Sequence, residues 1–246
     1  MQTPAPPRRV QAPQRRDTKS RRVPPVGGQG KPPWLIYGFA ALGPIALAIV
    51  LLVIFLSGGK SSSTTVTGSA PKIDYASLPG VEKGKAPWPP EYGSLPDRLA
   101  PLQLSSLGAQ GTALHIHQHL DIFVNGKHVT VPALVGIYAN GDSTQGGFFV
   151  ELHTHDSSGI MHLEAPKKGA FTLGQFVGTW GVRLSKSCIG GYCATAGKPL
   201  KFFVNGKPFA GDPNNIVLHN HDEYAIAYGK PPKKIPSKYN WRPSGL

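Results

Sequence analysis

The chain has 246 residues, of which 16% are charged, 30 are glycine and 25 are proline. This composition argues against a coiled coil or a helical bundle and favours a loop-rich β protein with unstructured ends. The formal charge of +13 lies in the ends of the chain, because residues 1–33 carry +7, residues 230–246 carry +5 and residues 86–229 carry −1. The central part therefore has no excess of basic residues, and nucleic acid is excluded as a predicted partner.

The first 56 residues predict a cytoplasmic tail followed by a membrane anchor. Residues 1–33 are rich in proline and arginine, lack apolar periodicity and are predicted to be disordered. Residues 34–56 are 23 residues without a charge. As a helix they span about 34 Å, enough for a hydrocarbon core of about 30 Å. A cleaved signal peptide is the alternative, but its apolar region is shorter, at about 7–15 residues.

The basic residues around this apolar segment set the predicted topology. Eight Lys and Arg residues precede it, whereas Lys60 alone follows closely. We therefore expect a signal anchor that crosses the cell membrane once, with the N-terminus in the cytoplasm and the C-terminal domain outside. The predicted partners are the lipid bilayer, through residues 34–56, and anionic lipid at the N-terminal tail.

Two segments flank the predicted domain. Residues 57–113 consist of a polar flexible stalk at 57–85 and a Pro-rich segment at 86–113. The Pro-rich segment is predicted either to dock on the domain in an extended form or to form a short helix from Asp97. Residues 230–246 form a basic Pro-rich tail, in which Tyr239 and Trp241 are the side chains that can fasten it to the domain.

Residues 114–229 form the predicted extracytoplasmic domain. Apolar and polar residues alternate up to Asn125-Gly126, which predicts a β-hairpin, and the hairpin sequence FVNGK recurs at 203–207. A short helix is predicted after Phe171, with Thr172 as its cap. Further strands are predicted at 147–154, 159–165, 216–219 and 223–228. These elements predict an α+β, β-rich fold in which a mixed sheet and one short helix form a β-grasp-like arrangement; a small β-sandwich or barrel is the alternative.

All nine histidines lie between His115 and His221. They include four pairs spaced two residues apart: His115/His117, His117/His119, His153/His155 and His219/His221. On a strand this spacing puts both imidazoles on one face, about 6.6 Å apart, and neighbouring strands lie about 4.8 Å apart. Two such strands side by side can therefore surround a metal ion with neutral imidazole nitrogens.

Carboxylates accompany the histidines. Asp121 shares a face with the first three histidines, and Glu164 shares one with His162, so each can bind a metal or orient an imidazole. His128, beside the hairpin turn, is interpreted as a bystander. The predicted ligands are His115, His117, His119, His153, His155, His162, His219, His221, Asp121 and Glu164. The predicted cofactor is a transition metal ion, copper or zinc in the first place and iron in the second.

This pattern predicts a membrane-anchored protein that captures, delivers or senses copper or zinc outside the cytoplasm. A metal-dependent enzyme is the first alternative, because His119-Leu-Asp121 and His162-Leu-Glu164 have the His-x-carboxylate spacing of some iron sites. The sequence lacks a nucleophile elbow, a P-loop and a dinucleotide-binding motif. A non-catalytic structural or interaction module, with packed or pH-responsive histidines, is the second alternative.

Cys188 and Cys193 are the only cysteines of the chain. Outside the membrane, two cysteines separated by four residues, two of them glycine, predict a disulfide. A copper-binding or redox role of the thiolates is the alternative. The spacing differs from the Cys-x-x-Cys of thioredoxin-like proteins.

Four sequence segments carry a resemblance to a known group of proteins. They are HIHQHLDIFVNGK at 115–127, LHTHDSSGIMHLE at 152–164, FTLGQFVGTWGV at 171–182 and FVNGKPFAGDP at 203–213. The region from 110 to 229 resembles uncharacterised prokaryotic membrane proteins that have a short cytoplasmic tail, one anchor and an outer His-rich domain. The resemblance implies the same topology and a single domain, and it implies no particular activity.

Overall fold

A computed structural model of the chain describes residues 68–110, 113–138, 147–242 and 244–246. This part has the predicted α+β architecture, rich in strands, with a mixed sheet and few helices. The described strands do not close into a barrel, so the barrel alternative is not supported.

The predicted membrane anchor at 34–56 lies outside the described residues, together with the tail at 1–33 and the start of the stalk at 57–67. Within the described ranges, neither helix combines the length and the apolar character needed to cross a membrane. The predicted topology therefore stays a prediction.

The described part has two short α-helices, one 3-10 turn and twelve strands. The helices are α1 (Leu95–Leu99) and α2 (Leu173–Trp180), and the 3-10 turn spans Pro213–Asn215. The strands are β1 (Ser106–Leu107), β2 (Leu114–Val124), β3 (Lys127–Val129), β4 (Ile137–Tyr138), β5 (Phe148–Val150), β6 (Leu152–His153), β7 (Ile160–Ala165), β8 (Cys188–Ile189), β9 (Tyr192–Cys193), β10 (Leu200–Val204), β11 (Lys207–Phe209) and β12 (Glu223–Tyr228).

The main sheet has the strand order β11-β10-β12-β2-β7-β6, and β3 pairs with one end of β2. Strands β2 and β12 run parallel at its centre, with Glu223 opposite His119, and the other pairs are antiparallel. Asn125-Gly126 and Asn205-Gly206 make the two hairpin turns, and all four residues have positive φ. The Asn-Gly sequence accommodates this conformation, and both predicted hairpins are confirmed.

The two faces of β2 have different roles. Ile116, Leu120 and Ile122 are at most 1% exposed and belong to the same apolar core as Phe176 and Trp180 of α2. Because side chains alternate along a strand, the histidines between them point to the opposite face of the sheet. The sheet thus has one apolar face that packs against the core and one face that carries the histidines.

Helix α2 has the predicted start. The Thr172 hydroxyl accepts a hydrogen bond from the Gln175 amide, and the Gln175 side chain accepts one from the Thr172 amide. This reciprocal capping box satisfies two donors at the helix start. Gly181 caps the C-terminal end of the helix, and its N–H donates to the Val177 and Gly178 carbonyls.

The segment before β2 is part of the folded core. Leu78 and Trp88 are buried, and Trp88 packs edge-on against Trp180 with ring centroids 5.9 Å apart. Of the two alternatives for this segment, the short helix is present as α1. It begins at Leu95, two residues before the predicted Asp97, and has Pro96 in its first turn. The predicted flexible stalk is wrong from Leu78 onward, since its apolar side chain is buried in the core beside α2.

Two predicted strands differ from the structure. Residues 147–154 form two short strands, β5 and β6, in different sheets, separated at the buried Glu151. The Glu151 carboxylate accepts a hydrogen bond from the Ser105 amide, and the Glu151 carbonyl accepts one from the Glu164 amide of β7. Residues 216–219 form only an isolated bridge at Val217, because the chain turns immediately afterwards.

The predicted disulfide joins Cys188 and Cys193 across the β8–β9 hairpin. At the end of the chain, Tyr239 stacks on His119 and Trp241 stacks on His221, with ring centroids 4.1 and 4.6 Å apart. The C-terminal tail therefore lies against the histidine-bearing face of the sheet.

Candidate metal centre

Three neighbouring strands, β2, β7 and β6, bring histidines from distant parts of the sequence together. His117 is the register partner of His162, and His162 is in turn the partner of His153. Two residue pairs further along, His115 faces Glu164. The antiparallel pairing thus places three imidazoles in a row across three strands, with a carboxylate beside them.

His162 occupies the middle of this row. Its ring centroid lies 4.6 Å from that of His117, 4.5 Å from that of His155 and 5.4 Å from that of His153. The two flanking His-x-His pairs each have ring centroids 4.9 Å apart. The group formed by His115, His117, His153, His155, His162 and Glu164 is called the histidine cluster below.

Glu164 is the only carboxylate of the histidine cluster, and its side chain is 4% exposed. Its Oε1 lies 3.3 Å from His115 Nε2, 3.3 Å from His162 Nδ1 and 3.8 Å from His153 Nε2. Its Oε2 is buried and has no hydrogen-bond partner within the described part of the chain. Burial raises the pKa of Glu164, and the neighbouring histidines oppose that shift in part.

The inner imidazoles of the cluster are held neutral. Burial lowers the pKa of His117 and of His153 to about 4 each, and it lowers the pKa of His162 to about 3. Neighbouring histidines add to each of these shifts. A neutral imidazole retains a lone pair on one nitrogen at neutral pH, which is the state that binds a metal ion.

Hydrogen bonds leave ring nitrogens available inside the cluster. His153 Nδ1 donates to the Val150 carbonyl at 2.9 Å, so its Nε2 carries the lone pair. His117 Nε2 is buried and, among the described residues, has no hydrogen-bond partner. A buried polar atom without a partner is costly, so this nitrogen is available to a ligand.

The cluster is open to solvent at its two ends. The His115 side chain is 51% exposed, and His155 is also exposed. Gln110 approaches from the preceding segment, with Nε2 at 3.1 Å from His155 Nε2 and 3.5 Å from His153 Nε2. A ligand can therefore reach the buried imidazoles through either end.

His119 and Asp121, also predicted as ligands, belong to a separate group with Glu223. His119 Nδ1 lies 2.9 Å from Glu223 Oε2, and His119 Nε2 lies 2.9 Å from the Ser158 carbonyl oxygen. Burial lowers the pKa of His119, but the hydrogen bond and the charge of Glu223 outweigh it and the net shift is upward. Both ring nitrogens thus face acceptors, which favours an imidazolium paired with a buried carboxylate.

The remaining predicted ligands lie in the turn before β12. His219 and His221 are exposed and stand outside the two groups of possible ligands. The His221 amide donates to the His117 carbonyl at 2.7 Å, so this turn is fastened to the edge of the cluster. His128 contacts Asp121, with Nε2 2.9 Å from Oδ1, and is half exposed.

Glu223 was missing from the predicted ligands. The signal for it is the pair Asp222-Glu223 after His221, but only the parallel pairing of β12 with β2 shows that Glu223 faces His119. Gln110 belongs to no sequence motif, and only the structure shows that its side chain contacts His155.

The donor set consists of five imidazoles and one carboxylate, without a thiolate, because both cysteines are in the disulfide. Such nitrogen and oxygen donors suit Zn²⁺, Cu²⁺ and related divalent ions. No family model, no curated protein and no solved structure matches this chain.

Proposed function

We propose that this protein binds copper or zinc in the histidine cluster and captures, delivers or senses that metal outside the cytoplasmic membrane. The observation that carries the proposal is the convergence of β2, β7 and β6, which gathers five histidines around Glu164. Metal binding accounts for this arrangement better than packing does, because packing alone leaves the buried Nε2 of His117 without a partner, whereas a bound metal ion would supply one.

The electrostatics of the site support a metal ion and not a cluster of protonated histidines. Five imidazolium groups at ring distances of 4.5–5.4 Å would repel one another strongly, and one carboxylate cannot compensate for them. A divalent ion instead joins the lone pairs of neutral imidazoles. Of the divalent first-row metals, Cu²⁺ binds such donors most tightly, while Zn²⁺ accepts the same ligands in a tetrahedral geometry.

The proposed placement of this site depends on the anchor at 34–56 and on the basic residues before it. The disulfide between Cys188 and Cys193 is in keeping with an oxidising compartment outside the cytoplasm. We also assign the domain to a β-grasp-like arrangement. The parallel central pair of β2 and β12, with α2 between them in sequence, supports that assignment.

The test is the metal content of the purified full-length chain, kept in detergent, after incubation with Cu²⁺ or Zn²⁺ and removal of free metal. We expect at least one tightly bound ion per chain and its loss in His162→Ala, which removes the central imidazole. His128→Ala is the matched control, because His128 is half exposed and lies outside the cluster. A parent chain that takes up no copper, zinc, nickel or iron contradicts the proposal and leaves the structural module as the better interpretation.

A further inference from the structure

The histidine cluster contains two overlapping sets of four ligands, and both sets include His162 and Glu164. One set adds His115 and His117 from β2, and the other adds His153 and His155, which lie in and just after β6. Within each set, one ligand atom per residue lies within 4.8 Å of every other. We propose that the cluster binds two metal ions, one in each set, and that Glu164 bridges them. This inference rests on the proposed function and specifies its stoichiometry.

The positions of the strands favour two ions over one. Strand β7 lies between β2 and β6, so the α-carbons of His117 and His153 are about 10 Å apart, two strand spacings. Two metal–nitrogen bonds of about 2.1 Å keep any two ligand nitrogens of one ion within about 4.2 Å of each other. Among the described residues, no group of three or more ligand atoms within 4.8 Å of one another combines the pair from β2 with His153 or His155. One ion can therefore take His162 with one flanking pair, and the other flanking pair remains for a second ion.

Glu164 has the geometry of a bridging ligand. Its Oε1 lies near nitrogens of both sets, at 3.3 Å from His115 Nε2 and 3.8 Å from His153 Nε2. Its Oε2 is buried and, in the described ranges, has no hydrogen-bond partner. A carboxylate with both oxygens available binds two cations at once, whereas a carboxylate that only positioned His162 would use a single oxygen.

Two divalent ions carry more positive charge than the single carboxylate of Glu164 can neutralise. Two features of the surroundings reduce this excess charge. Asp156 is close enough for its charge to act on both His155 and His162. The exposed ends at His115 and His155 admit water, which loses a proton readily when a divalent metal binds it. The second ion is therefore expected to bind more weakly than the first.

The closing experiment is a titration of the full-length chain with Cu²⁺, followed by metal analysis and electron paramagnetic resonance. We expect two copper ions per chain and, at two equivalents, a signal well below that of the total copper, because two ions bridged by a carboxylate couple magnetically. One ion per chain overturns the dinuclear site and leaves the proposed function intact. No bound ion overturns both, and two ions with full uncoupled signals overturn the bridge.

Two rim variants test the division into sets. His115→Ala and His155→Ala remove exposed side chains, one from each set, and the circular dichroism of the parent is expected to persist in both. Each is expected to retain one ion and to lose the coupling, while His219→Ala, an exposed histidine outside both sets, keeps two. Retention of two coupled ions in either rim variant, or loss of both ions without loss of fold, contradicts the assignment.

Discussion

Arg98 fastens the segment before β2 to the end of α2, and its replacement by methionine is expected to destabilise the domain strongly. The Arg98 side chain is fully buried and forms an ion pair with Glu91. It also donates to the carbonyl of Glu91 at 2.6 Å, and to those of Pro79 and Thr179 at 3.3 Å. Arg98→Met keeps the apolar stem of the side chain and removes all of these bonds.

The expected loss follows from the burial of the two partners. Breaking a buried ion pair by removing one partner costs about 3–5 kcal/mol. The Glu91 side chain is 30% exposed, so water can solvate it once Arg98 is gone, and the lower end of the range, about 3 kcal/mol, is expected. With a urea dependence of about 1–3 kcal/mol per M, the unfolding midpoint falls by about 1–3 M.

Urea unfolding of the full-length chain, followed by the fluorescence of the buried Trp88 and Trp180, measures this loss. Arg242→Met is the control, because Arg242 is exposed in the tail and its loss is expected to change stability by less than about 0.5 kcal/mol. The double variant Arg98→Met/Glu91→Gln is expected to be more stable than the sum of its single variants predicts. A midpoint for Arg98→Met within experimental error of the control refutes the reasoning.

Three further predictions concern the histidine face and the disulfide hairpin. His119→Gln breaks the buried pair with Glu223, so it is expected to lower the free energy of unfolding by about 3 kcal/mol. The amount of bound metal is expected to stay unchanged. Loss of metal refutes the separation of the histidine cluster from the group of His119, Asp121 and Glu223. Gly159→Ala is expected to lower the free energy of unfolding in urea by about 1–3 kcal/mol, because Gly159 has φ 91° and an added Cβ meets His119 Nε2 at 2.8 Å. Gly197→Ala is the control, because an added Cβ at Gly197 has no heavy atom within 4 Å. Replacing both cysteines by serine is expected to lower the free energy of unfolding by about 2 kcal/mol. Reduction of the disulfide in the parent chain must give the same decrease.

The sequence was most informative where local chemistry determines the structure. The Asn-Gly turns, the strand β12 and the capped helix α2 depend on residues that lie close together in sequence, and all were predictable. The failures have a common cause in distant contacts. The local sequence gives no sign that Glu151 is buried, so it predicts one continuous strand there. It likewise gives no sign that Leu78 is buried in the core, so it predicts a flexible stalk at that position.

The same distinction applies to the candidate site. The hairpin from His153 to His162 places these two residues near each other, as the sequence predicts for a tight turn between the two strands. The contact of His117 with His162 depends on the pairing of β2 with β7, two strands that are separated by 35 residues of sequence. Period-two alternation predicts which side chains share a face, but it carries no information about which strand lies alongside.

The histidine row of β2 shows how far the neighbouring strand determines the chemistry of a side chain. His115, His117 and His119 share one face of one strand, and from the sequence they are equivalent candidates. His115 and His117 face Glu164 and His162 on β7, whereas His119 faces the apolar Ile160 there and the buried Glu223 on β12. The first two are therefore placed beside further lone-pair donors, and the third is placed beside a negative charge. A metal requires the first environment and an imidazolium requires the second, so the register of the central sheet divides one repeated motif into a proposed metal site and a structural ion pair.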